Sequence, residues 1–174
     1  MDTLPKKIGK DLRAFTLIEL LIVIAIIGIT SSILLLGFSN DQMKRELATN
    51  AREFVGIARE AQNYALTGKQ VVVAGVPTTP CRFQVSWSGS AYSMTYWYKN
   101  GSDVCIQGPD MVTYTLKNGV TFSNADSFYF TLPHANLNFS SGSKGAVLRK
   151  QSNAHVACVY ASGLINESEG AVCP

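Results

Sequence analysis

Residues 15–38 read FTLIELLIVIAIIGITSSILLLGF, a run of 24 residues in which the one charged group is Glu19. A helix rises about 1.5 Å per residue, so this run is long enough to cross the ~30 Å hydrocarbon core of a bilayer. We therefore predict a transmembrane helix over residues 15–38. The competing interpretation is a cleaved secretory signal, whose apolar region is shorter, at about 7–15 residues.

The segment that precedes this run sets the expected orientation of the chain. It carries four basic residues against two acidic ones, namely Lys6, Lys7, Lys10 and Arg13 against Asp2 and Asp11. Under the positive-inside rule such a segment stays in the cytoplasm. We therefore expect a single pass, with the C-terminal part of the chain on the outer side of the membrane.

Length and charge limit what the rest of the chain can be. The 174 residues have room for one globular domain and an appendage, because domains commonly contain about 100–150 residues. The formal net charge is +3, and the first fourteen residues supply +2 of it as four basic minus two acidic groups. The remaining part is nearly neutral, whereas binding to nucleic acid by charge needs a basic surface. The charge therefore gives no support for a nucleic-acid partner.

The cysteines all lie in the C-terminal part, at Cys81, Cys105, Cys158 and Cys173. None forms a C-x-x-C pair that would indicate zinc or a redox dithiol. We expect two disulfides, which persist in an oxidising space such as a periplasm or the cell exterior. Of the three possible connectivities, we favour Cys81–Cys105 with Cys158–Cys173, because each pair closes a local loop. Four buried free thiols in a reducing compartment are the alternative.

Glu19 is the most informative residue of the apolar run. A carboxylate near the centre of a bilayer costs roughly 2.5–3.5 kcal/mol, so such a residue usually has a function and a partner. A position at headgroup depth, where the cost is smaller, is the alternative explanation. We expect Glu19 to take part in a specific contact.

The residues around Glu19, Arg13 to Leu21 (RAFTLIELL), resemble the class III signal of type IV prepilins and type II secretion pseudopilins. The resemblance implies that a prepilin peptidase cuts between Ala14 and Phe15 and methylates the new amine of Phe15. It also implies that Glu19 pairs with the N-terminal amine of a neighbouring subunit. Such a buried acid–amine pair fixes register more than it adds stability. The family's usual residue before the cut is Gly, and this chain has Ala14.

The sequence between Asn40 and Gly68 indicates an amphipathic helix. Apolar residues recur there at spacings of three and four, as on one helix face: Met43, Leu47, Ala51, Phe54, Ala58, Ala61 and Ala65. Gly68 suits the left-handed conformation that follows many helices, so we predict an end near Leu66 or Thr67. Together with the apolar run this makes one helix of about fifty residues. Two helices joined at Ser39-Asn40 are the alternative.

After this helix the sequence predicts short β-strands separated by Gly, Pro, Asn and Ser. The predicted strands are Gln70–Val76, Arg82–Trp87, Tyr92–Tyr98, Met111–Leu116, Ser127–Leu132 and Ala154–Tyr160. Because no helical segments alternate with them, we expect an antiparallel sheet and an α+β fold in which the long helix packs on the sheet. Pilin-like proteins are built in this way.

Within the pilin-like proteins, the C-terminal part resembles the GspH/FimT group of minor pilins and pseudopilins. The residues that carry this resemblance are 138–143 (NFSSGS) and 156–163 (VACVYASG). Some members of that group bind DNA through arginines that follow the last Gly. Here Gly163 is followed by Leu-Ile-Asn, so DNA binding is not extended to this chain.

Other side chains offer no site for a reaction. His134 and His155 have no Cys, Asp or Glu at a recognisable metal spacing, and no P-loop or G-x-S-x-G motif occurs. We therefore expect no enzymatic activity, no metal and no cofactor. The aromatic strand Tyr92–Tyr98 alternates between two faces, one of which we expect in the core. The other face is either packed under a loop or part of a binding patch.

These observations predict a structural subunit of a type IV pilus-like or type II secretion filament. Its expected parts are a leader peptide (1–14), a transmembrane and filament-core helix (15–38), an amphipathic helix (39–67) and a disulfide-containing β-domain (68–174). The expected partners are other pilin or pseudopilin subunits, prepilin peptidase, inner-membrane lipid and the assembly platform. We expect the chain in the inner membrane, with its C-terminal domain periplasmic or extracellular, and then in a pilus or pseudopilus.

Two alternatives remain open at this point. The first is a minor tip subunit of the GspH/FimT kind that primes assembly or binds substrate or DNA. The second is a membrane-anchored exodomain that never polymerises. Copy number per filament distinguishes the first from a bulk subunit, and an uncleaved N-terminus would indicate the second.

Overall fold

The computed structural model describes residues 16–174, and it describes the side chains of all of these except residues 33–39. The chain divides after Asn40 into two compact units. A single helix, α1, extends from Leu17 to Thr67. The alternative of two helices joined at Ser39-Asn40 is therefore wrong.

The C-terminal half of α1 has the predicted buried stripe and the predicted end. Six of the seven predicted apolar residues are at most 1% exposed and Met43 is half-buried; the six are Leu47, Ala51, Phe54, Ala58, Ala61 and Ala65. After Thr67, Gly68 adopts a φ of 64°, which glycine reaches without strain. The Lys69 amide then donates to the Tyr64 carbonyl over 3.0 Å and closes the helix end.

Eleven β-strands follow α1 in the described part of the chain. They are β1 Val71–Val73, β2 Val76–Thr78, β3 Pro80–Ser88, β4 Ala91–Lys99, β5 Cys105–Thr115, β6 Thr121–Phe122, β7 Asp126–Thr131, β8 Asn136–Leu137, β9 Ser143–Lys150, β10 Asn153–Tyr160 and β11 Ile165–Glu169. All pairings are antiparallel. β1 and β2 form a hairpin, five strands form a sheet in the order β5-β4-β3-β7-β8, and four form a sheet in the order β11-β10-β9-β6. The predicted α+β fold is confirmed, with two main sheets in place of one.

The predicted strand Gln70–Val76 is wrong as a single element. The chain reverses at Ala74 and Gly75, whose φ angles are 50° and 83°, and β2 pairs back onto β1. Two consecutive residues with positive φ make the tight turn that suits a hairpin. The sequence prediction also lacks β6 and β8, which have two residues each, and β9 and β11, in which charged and apolar residues are mixed.

Phe54 lies where α1 meets both sheets. Its ring centroid is 5.5 Å from that of Trp87 on β3, 5.4 Å from that of Tyr92 on β4 and 5.6 Å from that of Phe122 on β6. All three contacts are edge-to-face, an arrangement that adds a favourable term to the burial of the rings. One helical side chain therefore packs against the five-stranded and the four-stranded sheet together.

Polar side chains of α1 also hold the turn and strand at the edge of the four-stranded sheet. The Arg59 Nη2 donates to the Ile165 carbonyl over 2.8 Å, and the Gln62 Nε2 donates to the Gly163 carbonyl over 2.9 Å. These bonds satisfy carbonyl groups of the β10–β11 turn and the start of β11. The edge strand is thereby attached to the helix as well as to β10.

Glu167 on β11 joins three elements. The Arg52 Nε on α1 donates to its Oε1 over 2.7 Å, and its Oε2 is 2.6 Å from the Nε2 of His155 on β10. Burial opposes ionisation of this carboxyl, but the hydrogen bonds from Arg52 and His155 outweigh it and hold the pKa of Glu167 below its ordinary value. His155, which has no metal-like spacing in the sequence, is buried, and its side chain pairs with Glu167.

Two disulfides are present, and they are the two pairs favoured from the sequence. Cys81 on β3 is joined to Cys105 at the start of β5, and Cys158 on β10 is joined to Cys173. The second bond fixes the tail of the chain to an inner strand of the four-stranded sheet. Each closes a loop of modest length, with sequence separations of 24 and 15 residues.

Candidate functional site

The residues of α1 before Asn40 present an apolar surface. Every side chain from Thr16 to Ser32 is exposed, and the exposed fraction of the large apolar ones runs from 50% at Val23 to 80% at Leu17. A continuous apolar surface of this kind indicates contact with a membrane or a partner protein. We call residues 17–32 the apolar helix, and it is the candidate site.

Two hydroxyl groups in the apolar helix, those of Thr30 and Ser32, are bonded within the helix itself. The Thr30 Oγ1 donates to the Ile26 carbonyl and the Ser32 Oγ donates to the Gly28 carbonyl, both over 2.9 Å. Such bonds to the preceding turn lower the cost of placing a hydroxyl among apolar groups. These two polar side chains are thus compatible with a lipid or protein environment.

Glu19 lies in the first turn of α1, where it takes part in capping the helix. Its amide donates to the Thr16 Oγ1 over 3.3 Å, so Thr16 acts as the N-cap. The spacing Thr-x-x-Glu is that of a capping box, and a carboxylate in the first turn is favoured by the helix dipole. The sequence prediction did not include this local role of Thr16 and Glu19, although the Thr-x-x-Glu spacing of residues 16–19 indicates a capping box.

The Glu19 carboxylate also remains available for a partner. It is exposed, and no ion pair among residues 16–174 involves it. The other predicted processing residues, Ala14 and Phe15, and the leader 1–14 lie outside the described residues. Their roles stay predictions.

The predicted transmembrane span is only partly covered by the described residues. In the portion of the chain that the structure describes, no helix is sufficiently long and apolar to span a membrane. The predicted span 15–38 includes Phe15 and the side chains of residues 33–38, which lie outside the description, and it stays a prediction.

The aromatic strand β4 divides between two faces, as predicted. Tyr92 and Tyr96 are 3% and 7% exposed and belong to the core, whereas Trp97 is half-buried on the other face. His134 is exposed. Among the described residues no group of three His, Cys, Asp or Glu side chains is placed to hold a metal ion.

Comparison with known proteins adds two findings. Residues 10–35 match the family described as the prokaryotic N-terminal methylation motif, a stretch that includes Phe15, Glu19 and the whole of the apolar helix. The chain is also 29% identical over 128 residues to the type IV wide pilus major component PilA4 of Thermus thermophilus. That alignment covers 68% of this chain and 98% of the relative. No solved structure is significantly similar to the chain.

Proposed function

We propose that this chain is a type IV pilin, a membrane-anchored subunit that assembles into a filament with other pilins, and its methylation motif and its similarity to the Thermus pilin support this. The observation that carries the proposal is the apolar helix, which is exposed along residues 17–32 and begins with a single carboxylate. The role is structural, since the residues in question supply apolar surface and one ion pair. The methylation motif at residues 10–35 supports processing at the same end of the chain.

The proposed mechanism is a change of surroundings for the apolar helix. Lipid covers residues 15–38 in the membrane, and helices of neighbouring subunits cover them in the filament. The cut between Ala14 and Phe15 creates a new amine, and the Glu19 carboxylate of one subunit pairs with this amine on the next. Because both groups would otherwise be charged in apolar surroundings, only the register that pairs them is tolerated.

Substitution of Glu19 tests this mechanism, with Glu19→Gln as the informative variant. Gln keeps the capping-box pattern but has no charge, so it separates the pairing role from the capping role. We expect Glu19→Gln and Glu19→Ala to enter the membrane normally and to be strongly depleted from sheared filaments. The measurement is an immunoblot of membrane and sheared-filament fractions from cells that express each variant.

A matched control comes from the cap itself. Thr16→Ala removes the hydroxyl that accepts from the Glu19 amide and leaves the charge, so it should reduce filament yield much less than Glu19→Gln. Normal incorporation of Glu19→Gln would remove the pairing mechanism, and a defect in Thr16→Ala alone would assign Glu19 to capping.

A second candidate function is that of a minor tip subunit that primes assembly or binds substrate or DNA. It is favoured by the GspH/FimT-like residues 138–143 and 156–163, whereas the relative from Thermus is named a major component of its pilus. A type II secretion pseudopilus is the alternative machine. Counting copies per filament by quantitative mass spectrometry separates a bulk subunit from a tip subunit, and a chain found only in membranes would indicate an exodomain that does not polymerise.

A further inference from the structure

The outer face of the five-stranded sheet carries an arginine between two aromatic rings. Phe83 and Val85 on β3 are fully buried, so the alternation of the strand places Arg82 on the opposite face. Trp97 on β4 lies directly opposite Arg82 in the strand register. Tyr129 on the other neighbouring strand, β7, pairs with Gln84, two residues along β3 from Arg82, and so lies on the same face.

The three side chains form a stack. The Arg82 Cζ is 3.7 Å from the ring centroid of Trp97 and 4.3 Å from that of Tyr129. Rings on both sides hold the guanidinium plane in one orientation and remove part of its hydration. The Nε of the guanidinium is buried, whereas its two Nη atoms are not among the buried atoms, so the Nη donors are the ones that an outside acceptor can reach.

We call residues 41–174 the body. Six of its cationic side chains have acceptors within the chain: Arg52, Arg59, Lys99, Lys117, Lys144 and Lys150. No ion pair among residues 16–174 involves Arg82 or the exposed Lys44, Arg45, Lys69 and Arg149, and of these five only Arg82 is half-buried. Its Nε and the indole Nε1 of Trp97 are both buried without a hydrogen-bond partner among those residues. Two N–H donors of the stack, one of them cationic, thus lack an acceptor, which is uncommon for buried polar atoms; the Trp87 indole N–H in the core is a third such donor.

The acids on the neighbouring strands are already engaged. Asp110 on β5 accepts hydrogen bonds from Thr95 and Thr113, and Asp126 on β7 pairs with Lys144 over 2.8 Å. Neither carboxylate forms an ion pair with Arg82. An acceptor from outside the chain would complete the group.

We propose that Arg82 and Trp97 form a binding site for a single carboxylate group. A guanidinium edge offers parallel N–H donors that match the two oxygens of a carboxylate. The site holds one cation, and the body around it is close to neutral, which favours a singly charged ligand over a polyanion. An acidic side chain of a protein and an acidic sugar both present this chemistry.

The test uses the indole N–H of Trp97 as its reporter. The chain has two tryptophans, and Trp87 is 3% exposed in the core, so its indole signal is an internal reference. The full-length chain in detergent micelles is labelled with ¹⁵N and titrated with sodium acetate at constant ionic strength, with chloride as the balancing anion. The Trp97 indole signal should move to saturation while that of Trp87 stays in place.

Two arginine variants distinguish a site from a general charge effect. Arg82→Gln should weaken acetate binding by roughly ten-fold or more, because a charged hydrogen bond is lost. The matched control, Arg149→Gln, removes the same charge at an exposed position on β9 and should leave binding unchanged. An unshifted Trp87 signal in each variant establishes that the core is intact. If Arg82→Gln disturbs that signal, Arg82→Lys replaces it and should weaken binding, because an ammonium lacks the paired donors.

Further anions identify the source of the carboxylate and can refute the class. Tighter binding of glucuronate than of acetate supports an acidic sugar, and equal binding supports an acidic side chain. Phosphate that binds more tightly than acetate would overturn the carboxylate assignment. A Trp97 signal that does not saturate, or that moves equally in Arg82→Gln, would overturn the site.

Discussion

Two carboxylates of this chain differ in where their partners lie: those of Glu167 are within the chain, and the proposed partner of Glu19 is on another subunit. Glu167 has its partners within the chain, Arg52 and His155, and so contributes to the stability of the body. Glu19 is exposed in the first turn of α1, and its proposed partner is the amine of another subunit. The first carboxylate should therefore be seen in unfolding experiments, and the second in assembly experiments.

The free energy of unfolding should depend on pH through Glu167. A carboxyl whose pKa is lowered by folding adds stability above its unfolded pKa of about 4.3, and this stability is lost as the pH falls through the lower folded value. We predict that the wild type loses stability below about pH 4.3 and that Glu167→Gln reduces the slope of this loss. The measurement is the free energy of unfolding, obtained from urea titrations at a series of pH values between about pH 3 and about pH 7, on both sides of the reference pKa.

The control for this experiment is Glu169→Gln, which alters the exposed end of the same strand. It should keep the wild-type slope. Equal slopes in the wild type and in Glu167→Gln would contradict the assigned role of the bonds from Arg52 and His155.

At the scale of elements, two glycines lead to opposite predictions. A Cβ on Gly56, in the interior of α1, would meet no atom within 4 Å, so Gly56→Ala should stabilise the body by about 0.5–1 kcal/mol. A Cβ on Gly108 in β5 would overlap the ring of Tyr96, a residue that is buried in the core. Gly108→Ala should therefore destabilise the body by about 1–3 kcal/mol through overpacking.

Thermal unfolding of the two variants beside the wild type checks both glycine predictions in one series. The same chemical change, one added methyl group, is expected to raise the midpoint in Gly56→Ala and to lower it in Gly108→Ala. A Gly108→Ala protein as stable as the wild type would show that Tyr96 moves aside without cost.

The elements that could be predicted from sequence are those with a local signal. The buried stripe from Leu47 to Ala65 repeats at the helical period, and Gly68 follows the last residue of the helix. The C-terminal half of α1 could therefore be predicted from the sequence. The hairpin of β1 and β2 could not be predicted, because alanine seldom adopts the positive φ that Ala74 has in the turn. The polar strand β11 is stabilised by α1 and β10 rather than by its own apolar pattern.

The functional residues also divide into those with a local sequence signal and those that depend on the fold. The motif around Glu19 is contiguous, so its resemblance to prepilin signals could be read directly. The stack of Arg82 and Trp97 could not, since it depends on the register of β3 against β4. The contact of Arg52 with Glu167 joins residues 115 positions apart and needs the complete fold.

For the whole molecule, each of the two units has a distinct task in the proposed account. Residues 41–174 form a body with its own core, two disulfides and a helix packed on antiparallel sheets. The described part before Asp41 carries the exposed apolar helix with Glu19 at its start. We therefore expect substitutions in the body core to lower the amount of protein, and substitutions in the apolar helix to lower the amount of filament.

The central claim is that this chain is a processed pilin subunit of a filament. The most direct test is the mass of the N-terminal peptide of the protein recovered from sheared surface filaments and from membranes. The account predicts a filament form that begins at N-methylated Phe15, after a cut that follows Ala14. A chain that begins at Met1 in every fraction and is missing from sheared filaments would contradict it.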